Sequence, residues 1–234
     1  MSDSFFRFPQ TAHIAWLGSQ DLRDDKLLTP AEVEELLDGE VLVEEKVDGA
    51  NIGFSLDPSG ELRVQNRGSY LQRPFHGQFS RLGSWLGEHE YLMKPTLNST
   101  MIVFGEWCAA KHSVEYDQLP DYFLLFDIYD KAKEQFWSVE RRDQWAQEVG
   151  VTSITKISVG HYSVDELIAL LNNASSSYRT GPPEGIVIRK DNGPWNKMRG
   201  KIVRPGFIQM IEEHWSRRGI EWNTIDRKDS LYLH

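Results

Sequence analysis

Lys46 ends an apolar run, Val41-Leu42-Val43-Glu44-Glu45, and is followed by Val47-Asp48-Gly49-Ala50-Asn51. An amine at the end of a strand, just before an Asp-Gly turn, stands where a pocket often opens. It is nucleophilic only when deprotonated, so a reactive lysine needs nearby cations or desolvation to depress its pKa. Taken alone, Lys-x-Asp-Gly also suits a surface lysine before a hairpin. Other chemistries lack their residues. There is no GxGxxG or GxxxxGK[ST], so any nucleotide chemistry must use a different device. Seven histidines show no HExxH or Cys/His spacing, and the single cysteine, Cys108, excludes an intramolecular disulfide and a Cys-rich zinc site. Cys108 reads as a small core residue. His112 and Ser113 have no triad context.

The elements that must position Lys46 can be read outward from it. Val41–Lys46 is a strand. It is preceded by a helix that Thr29 caps, with Pro30 at its first position and Glu32 completing a capping box, and that Gly39 stops. Residues 51–56 and 61–66 form a hairpin around Asp57-Pro58-Ser59-Gly60, a turn sequence. Met101–Trp107 and Tyr122–Tyr129 are strands, and Phe136-Trp137 adds a short one. Ser138 and Ser163 cap two helices, the second through a capping box with Glu166. Gly185–Lys190 and Gly200–Arg204 are strands, and a helix runs from about Phe207 to Arg217 with Ile208, Ile211 and Trp215 at helical spacing. Strands and helices mix without regular βαβ alternation, which favours α+β with largely antiparallel sheets.

The chain has 234 residues, 40% of them hydrophobic and 12% aromatic, enough for a substantial core. No run approaches the roughly 20 apolar residues of a spanning helix, and the first residues lack the regions of a secretory signal. A soluble, cytoplasmic protein is the expectation. The net charge of −9 speaks at first against a nucleic-acid partner. The charge is unevenly placed: residues 1–45 carry a net −8 and residues 184–234 a net +3. The acidic front reads as a solvated face, and nucleic-acid affinity depends on the local footprint rather than the total.

Six segments taken together resemble the covalent nucleotidyltransferases, the superfamily of ATP-dependent DNA ligases, RNA ligases and capping enzymes. Glu45-Lys46-Val47-Asp48-Gly49-Ala50-Asn51 resembles motif I, Asn66-Arg67-Gly68 motif Ia, Val103-Phe104-Gly105-Glu106-Trp107 motif III and Leu125-Phe126-Asp127-Ile128-Tyr129 motif IIIa. Glu184-Gly185-Ile186-Val187-Ile188-Arg189 resembles motif IV, and Lys197-Met198-Arg199-Gly200-Lys201-Ile202 motif V. Asn51, two residues after the glycine, is similar to the RNA ligase 2 branch, where capping enzymes and DNA ligases tend to have arginine. Phe8-Pro9-Gln10-Thr11-Ala12-His13-Ile14 looks like the short strand that often precedes motif I.

The resemblance implies an ATP-grasp-like ligase adenylation domain over 1–234, with mainly antiparallel sheets flanked by helices. Only 33 residues follow Lys201, too few for the five strands of an OB fold; residues 205–234, or an accessory protein, would then cover the site. The implied reaction is ATP-dependent joining of 5′-phosphate and 3′-hydroxyl RNA ends through a lysyl-AMP on Lys46. Arg199 and Lys201 would hold the α-phosphate and keep the amine of Lys46 partly neutral, with Lys197 as the competing alignment to Arg199. Asp48 and Glu184 would bind Mg²⁺, with Mn²⁺ as its substitute, and Glu184 would also serve the chemistry. Glu106 would accept from ribose hydroxyls, and Phe126 would stack on adenine or else be core. Arg67 and Asn51 would contact phosphate or an RNA end, and Glu45 would line the nucleotide site. A GTP-using capping-type transferase and a non-catalytic module binding nucleotide or RNA ends are the alternatives.

Overall fold

The computed structural model describes residues 4–18, 26–210 and 219–226; of residues 208–210 it describes the backbone alone. Elements follow in the order α1 (Pro30–Leu37), β1 (Val41–Lys46), β2 (Ala50–Leu56), β3 (Leu62–Asn66), β4 (Tyr70–Leu71), α2 (Leu82–Met93), β5 (Met101–Trp107) and β6 (Phe123–Asp130). Then come β7 (Gln135–Phe136), α3 (Val139–Val149), β8 (Lys156–Gly160), α4 (Val164–Asn173), β9 (Gly185–Asn192), β10 (Trp195–Val203) and α5 (Pro205–Met210). They build two sheets, ordered β10-β9-β1-β8 and β4-β3-β2-β5-β6-β7, in which every neighbouring pair is antiparallel. The fold is α+β, as the mixture of patterns requires.

Local sequence sets the boundaries. The hydroxyls of Thr29 and Ser163 accept from the amides of Glu32 and Glu166, whose carboxylates accept the return bonds, so both capping boxes form. Asp57 Oδ1 accepts from the amides of Ser59 (2.8 Å) and Glu61 (2.9 Å), and Gly60 takes φ +83°, which closes the β2–β3 hairpin. β9 and β10 run longer than the apolar stretches suggested, reaching Asn192 and starting at Trp195. Three elements were not foreseen: the short strand β4 beside β3, α2, and the strand β8, which pairs with β1 at the sheet edge. Of the helix expected over 207–217, the described part ends at Met210; Ile211, Trp215, Arg217 and Arg218 lie outside the described residues.

Each sheet buries one face beneath helices. In the smaller sheet, Val41, Val43, Ile186, Ile188 and Ile202 pack against Leu36 of α1 and Leu167 and Leu171 of α4. In the larger, Ile52, Phe54, Val103, Phe123 and Leu125 pack against Leu82, Trp85, Leu86 and Met93 of α2 and Trp145, Ala146 and Val149 of α3. The chain passes from one sheet to the other through Val47-Asp48-Gly49, so Lys46 ends one sheet next to the start of the second. The acidic front is only partly a solvated face. Glu32, Glu34, Glu35 and Glu40 are exposed, but Glu44 and Glu45 are buried in β1.

Candidate active site

The sheet register assembles the site. Lys46 is paired with Gly185, so Glu184 lies beside it, and its carboxylate Oε1 accepts from Lys46 Nζ at 2.6 Å. Gly185 is needed here: a Cβ would lie 2.5 Å from the Ile202 carbonyl oxygen across the strand pair. Gly49 has the same role on the other sheet, where a Cβ would lie 2.5 Å from the Trp107 carbonyl oxygen. Its amide donates to Glu106 Oε1 at 2.9 Å. Glu106 is paired with Asn51 across β5 and β2, and both line the same cleft.

That cleft, about 160 Å³, is lined by Glu45, Lys46, Asn51, Arg67, Glu106, Phe126 and Lys201 of the expected residues; Asp48, Glu184, Lys197 and Arg199 are not part of its lining. Arg67 stands on a turn made by Asn66, whose Oδ1 accepts from the amides of Gly68 and Ser69, each at 2.8 Å. Phe126 reaches the cleft because of a bulge. Gly105 pairs with Leu125 and Phe104 with Asp127, so Phe126 is left out of the ladder and re-aimed. Its ring meets Phe8 edge-on at 5.2 Å. Phe8, Gln10 and Thr11 also line the cleft, because the opening segment adds to β10: the Lys201 amide donates to Ala12 and the Ile14 amide to Lys201, both at 2.9 Å.

The carbonyl that the bulge leaves off the ladder accepts from Arg142 Nη1 at 2.7 Å and from Arg189 Nη2 at 2.9 Å. Those guanidiniums belong to a buried ionic ladder. Glu44 takes Arg142 at 2.6 Å and Arg189 at 2.5 Å, and Asp127 takes Arg189 at 2.7 Å and also Arg199. Glu44, Asp127 and Arg189 carried no expected role, although each stands within or beside a motif. Five elements meet in this ladder, and spacing along the chain holds no sign of their meeting.

Two alignments for the second motif V cation come apart in space. Arg199 shares a sheet face with Lys201, but its guanidinium turns to Asp127 and stacks over Phe136 at 4.1 Å; it does not line the cleft. Burial pulls its pKa down to about 10 against the pull of Asp127. Lys197 is the residue left unpaired at an irregularity in the β9–β10 register and pairs with Glu35 of α1 at 2.8 Å. Lys201 alone of the three reaches the cleft.

The electrostatics of Lys46 also differ from expectation. Burial pushes its pKa down, but Glu184, Asp48 and Glu106 outweigh it, and the net shift is upward. The amine is therefore held as an ammonium in this structure, not kept partly neutral by basic neighbours. Burial in turn raises the carboxyls of Glu184 and Glu106, Lys46 opposing in both cases, with Glu106 pushed up to about 7. Glu45, also raised by burial, gives its carboxylate to Ser176 Oγ and to the Ser177 amide (2.8 Å).

The expected metal residues are Asp48 and Glu184. Among the described residues no group of three or more His, Cys, Asp or Glu is arranged to hold a metal alone. Glu184 Oε2 is buried with no hydrogen-bond partner, and so is Asn51 Oδ1. A cation that keeps several waters and takes phosphate oxygens needs no complete protein cage, and a spare carboxylate oxygen fits it. Asp48 is less free, since its Oδ2 accepts from both the amide (3.0 Å) and the hydroxyl of Ser113. Among the described residues no helix is long and apolar enough to cross a membrane.

The RNA ligase family profile matches residues 39–203. No curated protein matches the chain in sequence. Among solved structures, an RNA ligase of Naegleria gruberi with PPi superposes with a TM-score of 0.62 at 18% identity, over 79% of this chain and 55% of that one. A mutant of the same ligase with ATP and Mn gives 0.62 at 16% identity, over 88% and 57%. Another mutant with AMP and Mn gives 0.56 at 15%, over 88% and 64%. At such identities the likeness is one of fold, and the chain spans 55–64% of the length of these three.

Proposed function

The chain belongs to the RNA ligase family, and from that premise we propose that it is an ATP-dependent RNA ligase acting through a lysyl-AMP on Lys46. The observation that carries this reading is the contact of Lys46 with buried Glu184 at 2.6 Å, with Lys46 lining a cleft beside Glu106, Asn51, Arg67, Phe126 and Lys201. In the first step Lys46 Nζ attacks the α-phosphorus of ATP. A P–N bond forms, the α–β P–O bond breaks, and its electron pair leaves with pyrophosphate. AMP then passes to the 5′-phosphate of an RNA end, and a 3′-hydroxyl displaces it to seal the strand.

The residue chemistry supports the first step. Nucleotidyl transfer needs in-line positioning and neutralisation of phosphate charge. Lys201 and Arg67 are the cleft cations that would hold phosphates. Phe126, half-buried and out of the ladder, offers a face to adenine, and Glu106 an acceptor to ribose. Lys46 must first lose a proton. The contact to Glu184 Oε1 is the path, and its cost falls as carboxylate charge around the amine is neutralised. A divalent cation, Mg²⁺ or Mn²⁺, would supply that charge and Lewis acidity at the phosphates. Glu184, through its spare Oε2, and Asp48 are the residues that would hold it. The ATP, AMP and Mn of the Naegleria ligase structures support nucleotide and divalent metal use.

Incubation with ATP labelled at the α-phosphate and Mg²⁺ should leave an acid-labile AMP on the protein, absent in Lys46→Ala. Label that persists in Lys46→Ala, or that comes only from GTP, would overturn the reading.

A further inference from the structure

Asp48 lies two residues from the nucleophile, and its conformation is not self-supporting. Its carboxylate is held by the amide and hydroxyl of Ser113. Its amide donates to the Tyr116 hydroxyl at 2.7 Å. Both partners stand on one loop, 109–116, whose tip the sequence marked only as lacking a triad. Far along the chain, residues 219–226 run beside this loop, and a single side chain spans its neck. Asn223, 2% exposed, donates from Nδ2 to the carbonyls of Cys108 (2.8 Å) and Ala110 (3.3 Å), and its Oδ1 accepts from the Tyr116 amide at 2.9 Å. The backbone repeats the grip: the Asn223 amide donates to Ala109 at 2.9 Å and the Thr224 amide to Tyr116 at 3.1 Å. One asparagine therefore ties both ends of the loop that fixes the turn after Lys46.

We propose that Asn223 is a positioning residue for the Lys46 nucleophile, acting through loop 109–116 and the Ser113–Asp48 contacts. The inference rests on the lysyl-AMP reading and deepens it. Residues 219–226 line no part of the cleft. They act at a distance, by removing the freedom of a loop whose tip sets the direction in which the chain leaves Lys46. A buried amide that meets one donor and two acceptors on opposite ends of a loop cannot be replaced by an apolar group without leaving buried backbone groups unpaired. The consequence expected here is on reaction geometry, since small displacements of a nucleophile cost large factors in rate.

The test is a double-mutant cycle on single-turnover formation of lysyl-AMP, at saturating ATP, in the full chain. Asn223→Ala should slow adenylation about tenfold or more, with the dissociation constant for ATP within about twofold of wild type. Ser113→Ala should slow it comparably, and Ser113→Thr, which keeps the hydroxyl, should restore most of the rate. If both act through one path, the double variant should be no slower than the slower single one. Losses that multiply, or an Asn223→Ala rate within about twofold of wild type, would overturn the proposal. Should Asn223→Ala not fold, Asn223→Ser, smaller but able to make one of the bonds, is read by the same criteria. Wild-type chain that forms no adduct with ATP would instead overturn the ligase reading, and this inference with it.

Discussion

Replacing Arg142 by methionine should destabilise the protein more than any surface substitution, although Arg142 touches neither Lys46 nor the expected phosphate cations. Its side chain is 2% exposed and that of Glu44 1%. The change removes the 2.6 Å pair to Glu44 and one of the two donors on the Phe126 carbonyl. The pair to Asp143, a third exposed, adds little because solvent screens it. Breaking a buried pair by removing one partner costs about 3–5 kcal/mol, mostly because the other charge stays buried. At about 2–4 °C per kcal/mol for a chain of this size, the melting temperature should fall by about 6–20 °C. Thermal and urea unfolding measure it. Glu44→Gln added to Arg142→Met should not recover the loss: after the first change Glu44 still holds Arg189 at 2.5 Å, and without its carboxylate Arg189 and Arg199 would share Asp127 alone. The pH dependence has a definite sign. Burial pushes the Glu44 carboxyl up, but Arg142 and Arg189 outweigh it and hold it below the usual carboxylate range. Its contribution is therefore present above the unfolded value near about 4.3 and is lost as pH falls through the lower folded value. The penalty of Arg142→Met should shrink in that acid range. A melting shift under about 2 °C, or recovery of stability in the double variant, would refute the reasoning.

Glu106 has the opposite sign: its folded pKa, about 7, lies above the unfolded value, so it opposes folding as pH rises from about 4.5 to 7. Glu106→Gln should remove up to about 3 kcal/mol of that decline, read by urea unfolding across the window; a wild-type slope unchanged by the substitution would contradict it. Lys201→Ala should abolish adenylation, whereas Lys197→Ala, which breaks only an exposed pair with Glu35, should leave the rate within about twofold and stability within about 1 kcal/mol; the reverse order would return Lys197 to motif V. Phe126→Ala should raise KM for ATP by about 10- to 100-fold, the worth of burying one aromatic face, with little effect on the adenylation rate at saturation. An unchanged KM would make Phe126 a core residue.

What could be read from the chain, and what could not, divides by the range of the interaction. Thr29 with Glu32 and Ser163 with Glu166 are contacts three residues apart, and both caps form where the residues dictate. β1 and β5 fall where apolar runs end in Lys46 and Trp107. Helix α2 was hidden by Gly83 and Gly87, which lower helix propensity by about 1 kcal/mol each. Leu82, Trp85, Leu86 and Met93 nevertheless share one face, and their burial against the larger sheet supplies what propensity withholds. In β8 only intermediate and exposed positions occur, so alternation gave no signal; hydrogen bonds to β1 make it a strand.

The same division explains the site. Motif spacing picked out Lys46, Glu106, Glu184 and Lys201; the register brings Glu184 against Lys46 and sets Lys46, Glu106 and Lys201 along one cleft. The spacing misjudged the charge around Lys46, because the sign of a pKa shift depends on which neighbours face the amine, and Arg199 faces Asp127 instead. Residue type made Arg199 look like a phosphate cation. Position makes it one end of a ladder that ties β10 of the smaller sheet to β6 of the larger. Glu44, Arg142 and Asp127 complete that tie, and Glu44, Asp127 and Arg189 also line the cleft, so the charges that hold the sheets together border the residues expected to meet substrate. Two rungs of β10 divide them: Lys201 points to the cleft and Arg199, two residues earlier, to the ladder. Two residues along β10 separate a cation that lines the cleft from one that is buried and paired with Asp127, and only the three-dimensional register carries that distinction.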